Sequence, residues 1–315
     1  MRVVFPSARG VLHAAGDLGF CEFSMVDRWA DFCVGDSSVI RPVHSRRREN
    51  YLQAVVFLHL DLFARRIIFA LDCMEMIASQ LIRVGRELAD ELRPLKFSEP
   101  VTHTYLTVDY ARAGYEAYLE KFANSKKRTL LLGMNPGPYG MAQTGVPFGE
   151  IAAVRDWMGL SPLIGKPDNE HPKRKISGMD CPKSEVSGRR LWGLFAAKFP
   201  KAEDFFKDHL VINFCPLIWM KDSGANLTPD KICAAEMLPA DVACQKHLRH
   251  LIEILEPKYL IGVGGYAENQ MRAAQEQLGG SSVIAKILHP SPASPAANRG
   301  WAEVAERQLK EIGVW

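Results

Sequence analysis

At 315 residues, with 47% hydrophobic and 24% charged content, the chain is long enough to bury a full core and too apolar to remain disordered. Its 39 lysines and arginines against 36 acidic residues leave a net charge of +3, which permits a polyanionic partner without demanding one. Seven cysteines, at 21, 33, 73, 181, 215, 233 and 244, form no Cys-x-x-Cys pair and no zinc or iron-sulfur spacing, so reduced thiols, no metal and no cofactor are expected.

Residues 1 to 73 show weak periodicity and an Arg46-Arg47-Arg48 cluster, and they predict no fold. Their most apolar run, Ala54 to Ala70, is interrupted by His59, Asp61, Arg65 and Arg66, too soon for a membrane span, and the first residues lack the apolar block of a signal peptide. No membrane association is expected. From Met74 the pattern changes: Ile77, Leu81, Val84, Leu88 and Leu92 share one helical face that ends before Pro94. A second helix is predicted from Asp109 as its cap, burying Tyr115, Tyr118, Leu119 and Phe122.

Four short apolar segments follow, Thr129 to Gly133, Leu210 to Asn213, Tyr259 to Gly264 and Val283 to Leu288, each with strand length. Helical patterns separate them: one capped by Ser187 and carrying Leu191, Leu194, Phe195 and Phe199, then Ala240 to Leu255, Tyr266 to Leu278 and Gly300 to Ile312. Such alternation predicts an α/β fold with a parallel sheet between helices. Gly262-Val263-Gly264-Gly265 lacks the full dinucleotide-binding spacing and reads as a strand-to-helix turn.

The strand ends carry the chemistry. The first runs into Asn135-Pro136-Gly137, the second ends on Asn213, and the fourth meets His289 before Pro290-Ser291-Pro292. Ligands of open α/β sheets bind at the carboxyl edge, so two amides and an imidazole converge where a ligand is expected. Taken singly, each also has a plain reading as a turn or loop residue.

The runs Gly133-Met134-Asn135-Pro136-Gly137-Pro138, Gln143-Thr144-Gly145-Val146-Pro147-Phe148-Gly149 and His289-Pro290-Ser291-Pro292 resemble the single-strand-selective monofunctional uracil-DNA glycosylases. Supporting stretches include Glu170 to Arg174, Cys181 to Gly188, Asn226 to Pro229 and Asn298 to Trp301, so the likeness covers about residues 75 to 315. The resemblance implies a three-layer α/β/α uracil-DNA glycosylase fold with a central four-stranded parallel sheet over residues 74–315. Residues 1–73 have no counterpart in that family and read as an added tail or an over-extended start.

What the resemblance implies about function is a DNA-repair hydrolase that flips uracil, or a 5-substituted uracil such as 5-hydroxymethyluracil, from single- or double-stranded DNA and leaves an abasic site without lyase activity. Asn135 would hold the attacking water and His289 stabilise the uracil anion at O2. Asn213 would read the base edge and Phe148 stack on the ring, with Met134, Gly137, Pro138, Tyr139 and Met141 completing the base pocket. Lys173, Arg174, Lys175, Lys183, Ser187, Arg189 and Arg190 would contact DNA. So would Pro290, Ser291, Pro292, Ala293, Ser294, Asn298 and Arg299 of the loop after His289, in which Ala293 replaces the arginine of animal relatives. The expected protein is a monomer acting inside the cell, in cytoplasm or nucleoid if bacterial and in the nucleus if eukaryotic. The alternatives are a mismatch-type or deaminated-purine glycosylase of the same superfamily and a non-catalytic DNA damage-binding protein.

Overall fold

The first of the four apolar segments, Thr129–Gly133, sits inside the sheet because its three leucines in a row need cover on both faces. A computed structural model describes residues 76–315, and the expectations placed on residues 1–73 lie outside them. In chain order the main elements are α1 (Ile77–Leu92), β1 (His103–Leu106), α2 (Arg112–Phe122), β2 (Thr129–Gly133), α3 (Val186–Lys198), α4 (Ala202–Phe206), β3 (His209–Asn213), β4 (Leu217–Met220), β5 (Asn226–Leu227), α5 (Ala234–Leu255), β6 (Tyr259–Val263), α6 (Gly265–Leu278), β7 (Val283–Ile287) and α7 (Trp301–Ile312).

The four predicted strands pair in parallel in the order β3-β2-β6-β7. Every residue of β2, β3 and β6 is buried, which a parallel sheet requires when helices cover both its faces. The chain lays β3 on one side of β2 and then crosses to place β6 on the other, so the crevice beyond the carboxyl end of β2 is the topological switch point.

A second, three-stranded antiparallel sheet, β1-β4-β5, was not predicted. Its strands run two to four residues, too short for a periodicity to register. Three further expectations are corrected. The chain does not start one helix at Asp109: a single turn over Thr107–Tyr110 precedes α2, and Asp109 pairs instead with Arg93 at 3.0 Å. Ser187 is not the cap of α3; the side chain of Glu185 accepts from the Ser187 backbone N–H and takes that role. And α5 begins at Ala234, ahead of Pro239, because burial of Met237 and Ala240 outweighs the one backbone bond the proline removes.

α1 buries Leu81, Val84, Leu88 and Leu92 against α2 and α5, as its spacing predicts. A ring cluster fixes α3 and α4 below the sheet edge: Phe195 stacks on Phe205 at 4.5 Å, Phe122 on Phe206 at 4.0 Å, and Trp192 meets both phenylalanines of α4. The first turn of α3 is thereby held at the switch point.

Candidate active site

A cleft of about 240 Å³ opens at that point, lined by residues that include Met134, Asn135, Gly137, Pro138, Phe148, Glu185, Asn213 and His289. A larger one of about 460 Å³ lies between the end of α1 and β1, away from the carboxyl strand ends, and it contains none of the converging amides or the imidazole.

Register explains the convergence. Gly133 stands opposite Asn213, and the pairing continues past the strands, with Phe214 N–H donating to Gly133 O at 2.9 Å and Cys215 N–H to Met134 O at 3.0 Å. Val263 stands opposite Ile287, and Gly264 N–H donates to Ile287 O, which sets His289 beside Gly264. Gly264 has φ +94°, and a Cβ there would press on the His289 side chain at 3.2 Å.

Asn135 is fixed by the sheet the sequence did not reveal. Its Nδ2 donates to Leu217 O, at the start of β4, at 3.2 Å, and the residue lines the cleft with its Oδ1 still available as an acceptor. An amide oxygen can orient a water but has no useful basicity.

Asn213 is buried, and its Nδ2 lies 3.3 Å from Met141 Sδ. A thioether accepts and never donates, so the amino group, not the carbonyl, must face Met141. Oδ1 is left buried without a partner among the described residues. An unpaired buried acceptor costs about 1–3 kcal/mol, a cost that a ligand N–H would remove.

Phe148 holds φ +53°, a conformation that a bulky residue adopts at a cost of about 1–3 kcal/mol. The strain aims its ring into the cleft, with its centroid 6.4 Å from that of His289. Two glycines make room for it: a Cβ on Gly133 would collide with Asn213 Oδ1 and the Phe148 ring, and one on Gly188 with Phe148 O.

His289 accepts from Ser291 N–H through Nδ1 at 3.1 Å. The neutral ring therefore carries its proton on Nε2, and burial lowers its pKa from the ordinary value of 6.5, which keeps it neutral.

Two residues at the site escaped the sequence pattern. Glu185 lines the cleft behind Gly137, where a Cβ would run into Oε2, and burial pushes its carboxyl pKa up. Oε1 accepts from Ser187 N–H at 3.3 Å, while Oε2, against Gly137, has no donor among the described residues. The motif Ser-Glu-Val-Ser could have signalled it, since an acid just before a helix caps it. Gln143 uses its whole amide, donating to Pro138 O and Lys175 O and accepting from Ser177 and Gly178 N–H, so it clamps the loop after Asn135 onto segment 175–178.

Of the expected base-pocket residues, Tyr139 and Met141 do not line the cleft. Met141 acts through Asn213. The Tyr139 hydroxyl receives Arg174 Nη1 and, at 3.2 Å, Lys183 Nζ, and both cations lie over its ring, so the phenol joins the basic surface. Ser187 lines the cleft beside Ser291 and Pro292. None of Lys173, Arg174, Lys175, Lys183, Arg189, Arg190 and Arg299 lines it, and none is ion-paired among the described residues; Ala293, Asn298 and Arg299 are exposed, and Ser294 is half-buried.

Residues 120–309 match the model of the uracil DNA glycosylase superfamily. The chain is 42% identical over 238 residues to the single-strand selective monofunctional uracil DNA glycosylase of Bos taurus, an alignment covering 76% of this chain and 88% of the relative. The chain belongs to the single-strand-selective monofunctional uracil-DNA glycosylase family. Its class is that of hydrolases acting on N-glycosyl bonds, and its α/β sheet is the fold of that superfamily. The relatives of Rattus norvegicus and Mus musculus are each 41% identical, over 77% and 78% of this chain and 87% and 88% of their own. Among solved structures, SMUG2 of Pedobacter heparinus shares the fold at 17% identity with a TM-score of 0.55, covering 76% of this chain and 98% of that one.

Proposed function

We propose that the protein hydrolyses the N-glycosidic bond of uracil, and of 5-substituted uracils such as 5-hydroxymethyluracil, in single- and double-stranded DNA, as a monomer inside the cell. The observation that carries this reading is Asn213, whose amino group is committed toward Met141 and whose carbonyl is an orphan acceptor. Uracil presents an N3–H donor beside an O4 acceptor, the complement of that amide. Cytosine presents an acceptor at N3 and leaves Oδ1 unpaired, which disfavours it.

With the base against Phe148, its O2 faces His289 Nε2–H, a neutral donor poised for the charge that develops as uracil leaves as an anion. An amide at Asn135 positions water without deprotonating it, which suits a dissociative path in which an oxocarbenium-like sugar is captured. Among the described residues none lining the cleft is a lysine, in keeping with monofunctional chemistry, which needs no amine to attack the sugar. At the C5 edge, Gly137 leaves room and Glu185 Oε2 supplies an acceptor. A 5-methyl would strip water from that oxygen and return nothing, whereas a 5-hydroxymethyl donates to it. Basic residues of segment 173–189 that make no ion pair among the described residues, Lys183 and Arg189 among them, supply the attraction for phosphates.

The test is incubation of labelled oligonucleotides carrying uracil, 5-hydroxymethyluracil, thymine or cytosine, followed by alkali. The reading predicts alkali-labile sites at the first two bases and none at the others. Binding without cleavage would instead identify a damage-binding protein.

A further inference from the structure

Arg190, on the second turn of α3, is one of the cations that the sequence points toward phosphate. Its guanidinium is engaged elsewhere: Nη1 donates to Pro290 O at 2.9 Å and Nη2 to Asn298 Oδ1 at 2.9 Å. Asn298 Nδ2 donates onward to Pro292 O at 2.9 Å. One planar fork therefore ties the near end of the loop after His289 to its far end and both to α3, across 100 residues of sequence. From the other side Trp301 Nε1 donates to Leu288 O at 2.7 Å, and Gln308 Oε1 accepts from Leu288 N–H at 2.8 Å. His289 is thus suspended between two fixed points, and the loop carries its exposed apex, Pro292 and Ala293, at the edge of the cleft.

We infer that Arg190 is a positioning residue, a brace that with Asn298 holds His289 and loop 290–298 in place, and not a phosphate ligand. The inference rests on the reading that the cleft takes a base out of DNA. Its consequence is selective: in a duplex the neighbouring bases press on the loop as the target leaves, so a slack loop costs more there than in a single strand, where nothing needs to be held apart. Ala293 sharpens that dependence, since its methyl offers no charge or hydrogen bond of its own and only the loop's fixed shape can act.

The experiment uses the full chain with Arg190→Ala, Arg190→Lys, Asn298→Ala and the Arg190→Ala/Asn298→Ala double variant, measuring kcat and KM for uracil in single strands and duplex over a series of salt concentrations. The brace predicts that Arg190→Ala lowers kcat on duplex by roughly tenfold or more, as expected of an angstrom-scale displacement of a catalytic group, with a smaller loss on single strands. Lysine does not rescue, because a point charge cannot span both acceptors. The double variant loses less than the product of the two single losses, because both cut the Arg190–Asn298 tie, and the salt slope of KM matches wild type. A phosphate ligand behaves oppositely: the slope falls by about one unit in Arg190→Ala and lysine restores it, which would overturn the inference. So would wild-type duplex-to-single-strand ratios in every variant. Should Arg190→Ala fail to fold, Asn298→Ala, at an exposed position, cuts the same tie and tests the brace by the same duplex-to-single-strand ratio. A wild-type chain that excises no uracil from either substrate sinks the glycosylase reading and the brace together.

Discussion

On the proposed reading, a sulfur atom decides which base edge Asn213 accepts. Without Met141 the amide could turn over and accept cytosine as readily as uracil; with a thioether 3.3 Å from Nδ2 one orientation is favoured before any base arrives. Asn213→Asp replaces the donor with a second acceptor, so uracil excision should fall roughly 10- to 100-fold in single-turnover assays, and unchanged kinetics would remove Asn213 from the reading role. His289 makes a separate prediction. Its folded pKa lies below 6.5, so the neutral ring that the proposed role requires persists through neutral pH and is lost only as pH falls below that value, where a proton on Nδ1 would also oppose the Ser291 N–H. The single-turnover rate should be flat above pH 6.5 and decline below it; a rate that rises on acidification would contradict the assignment. Asn135, Asn213 and His289 were legible in the sequence because each ends an apolar run. The partners that orient them were not, because Met141 lies 72 residues from Asn213 and Leu217 lies 82 from Asn135.

Strands place these groups, and their register leaves little slack. β2 and β3 bring Gly133 level with Asn213, and the same glycine gives Phe148 space to lean over the cleft. Gly133→Ala should therefore cost more than about 100-fold in excision rate through displacement of two pocket side chains. Overpacking there should cost only about 1–3 kcal/mol of stability, which circular dichroism and denaturant titration would separate from unfolding. An alanine variant with wild-type excision would show that the close approach is not needed. The parallel strands could be read from sequence as short apolar runs between helical patterns. The antiparallel β1-β4-β5 sheet could not, since its pairing joins His103–Leu106 to Leu217–Met220 through contacts more than 100 residues apart. That sheet bears directly on the site, because β4 is what holds Asn135. The cap of α3 was hidden for a related reason: Ser187 and Glu185 both suit an N-terminus locally, and Glu185 prevails because its side chain is half-buried against Gly137 and Gly140.

Across the whole molecule, stability should depend on pH through two histidines unconnected with catalysis. His209 and His247 are buried, each with an Nδ1 unpartnered among the described residues, and desolvation lowers both pKa values to about 4. Because the folded values lie below the unfolded value near 6.5, the unfolded chain takes up protons first on acidification. Stability is therefore full above about pH 6.5 and is lost between about 6.5 and 4, by roughly 2–3 kcal/mol for each group. Denaturant midpoints measured across that range should fall, and a midpoint independent of pH would show that neither histidine is buried neutral. Sheet, switch point and converging strand ends all bear on one claim, that Asn135 and His289 act together on a base held by Asn213 and Phe148. The most direct measurement is single-turnover cleavage of a uracil-containing single strand by wild type, Asn135→Ala and His289→Ala, with alkali to reveal abasic sites. The account predicts cleavage by wild type and a loss of at least about 100-fold in each variant with DNA binding retained. Normal cleavage by both variants would contradict it.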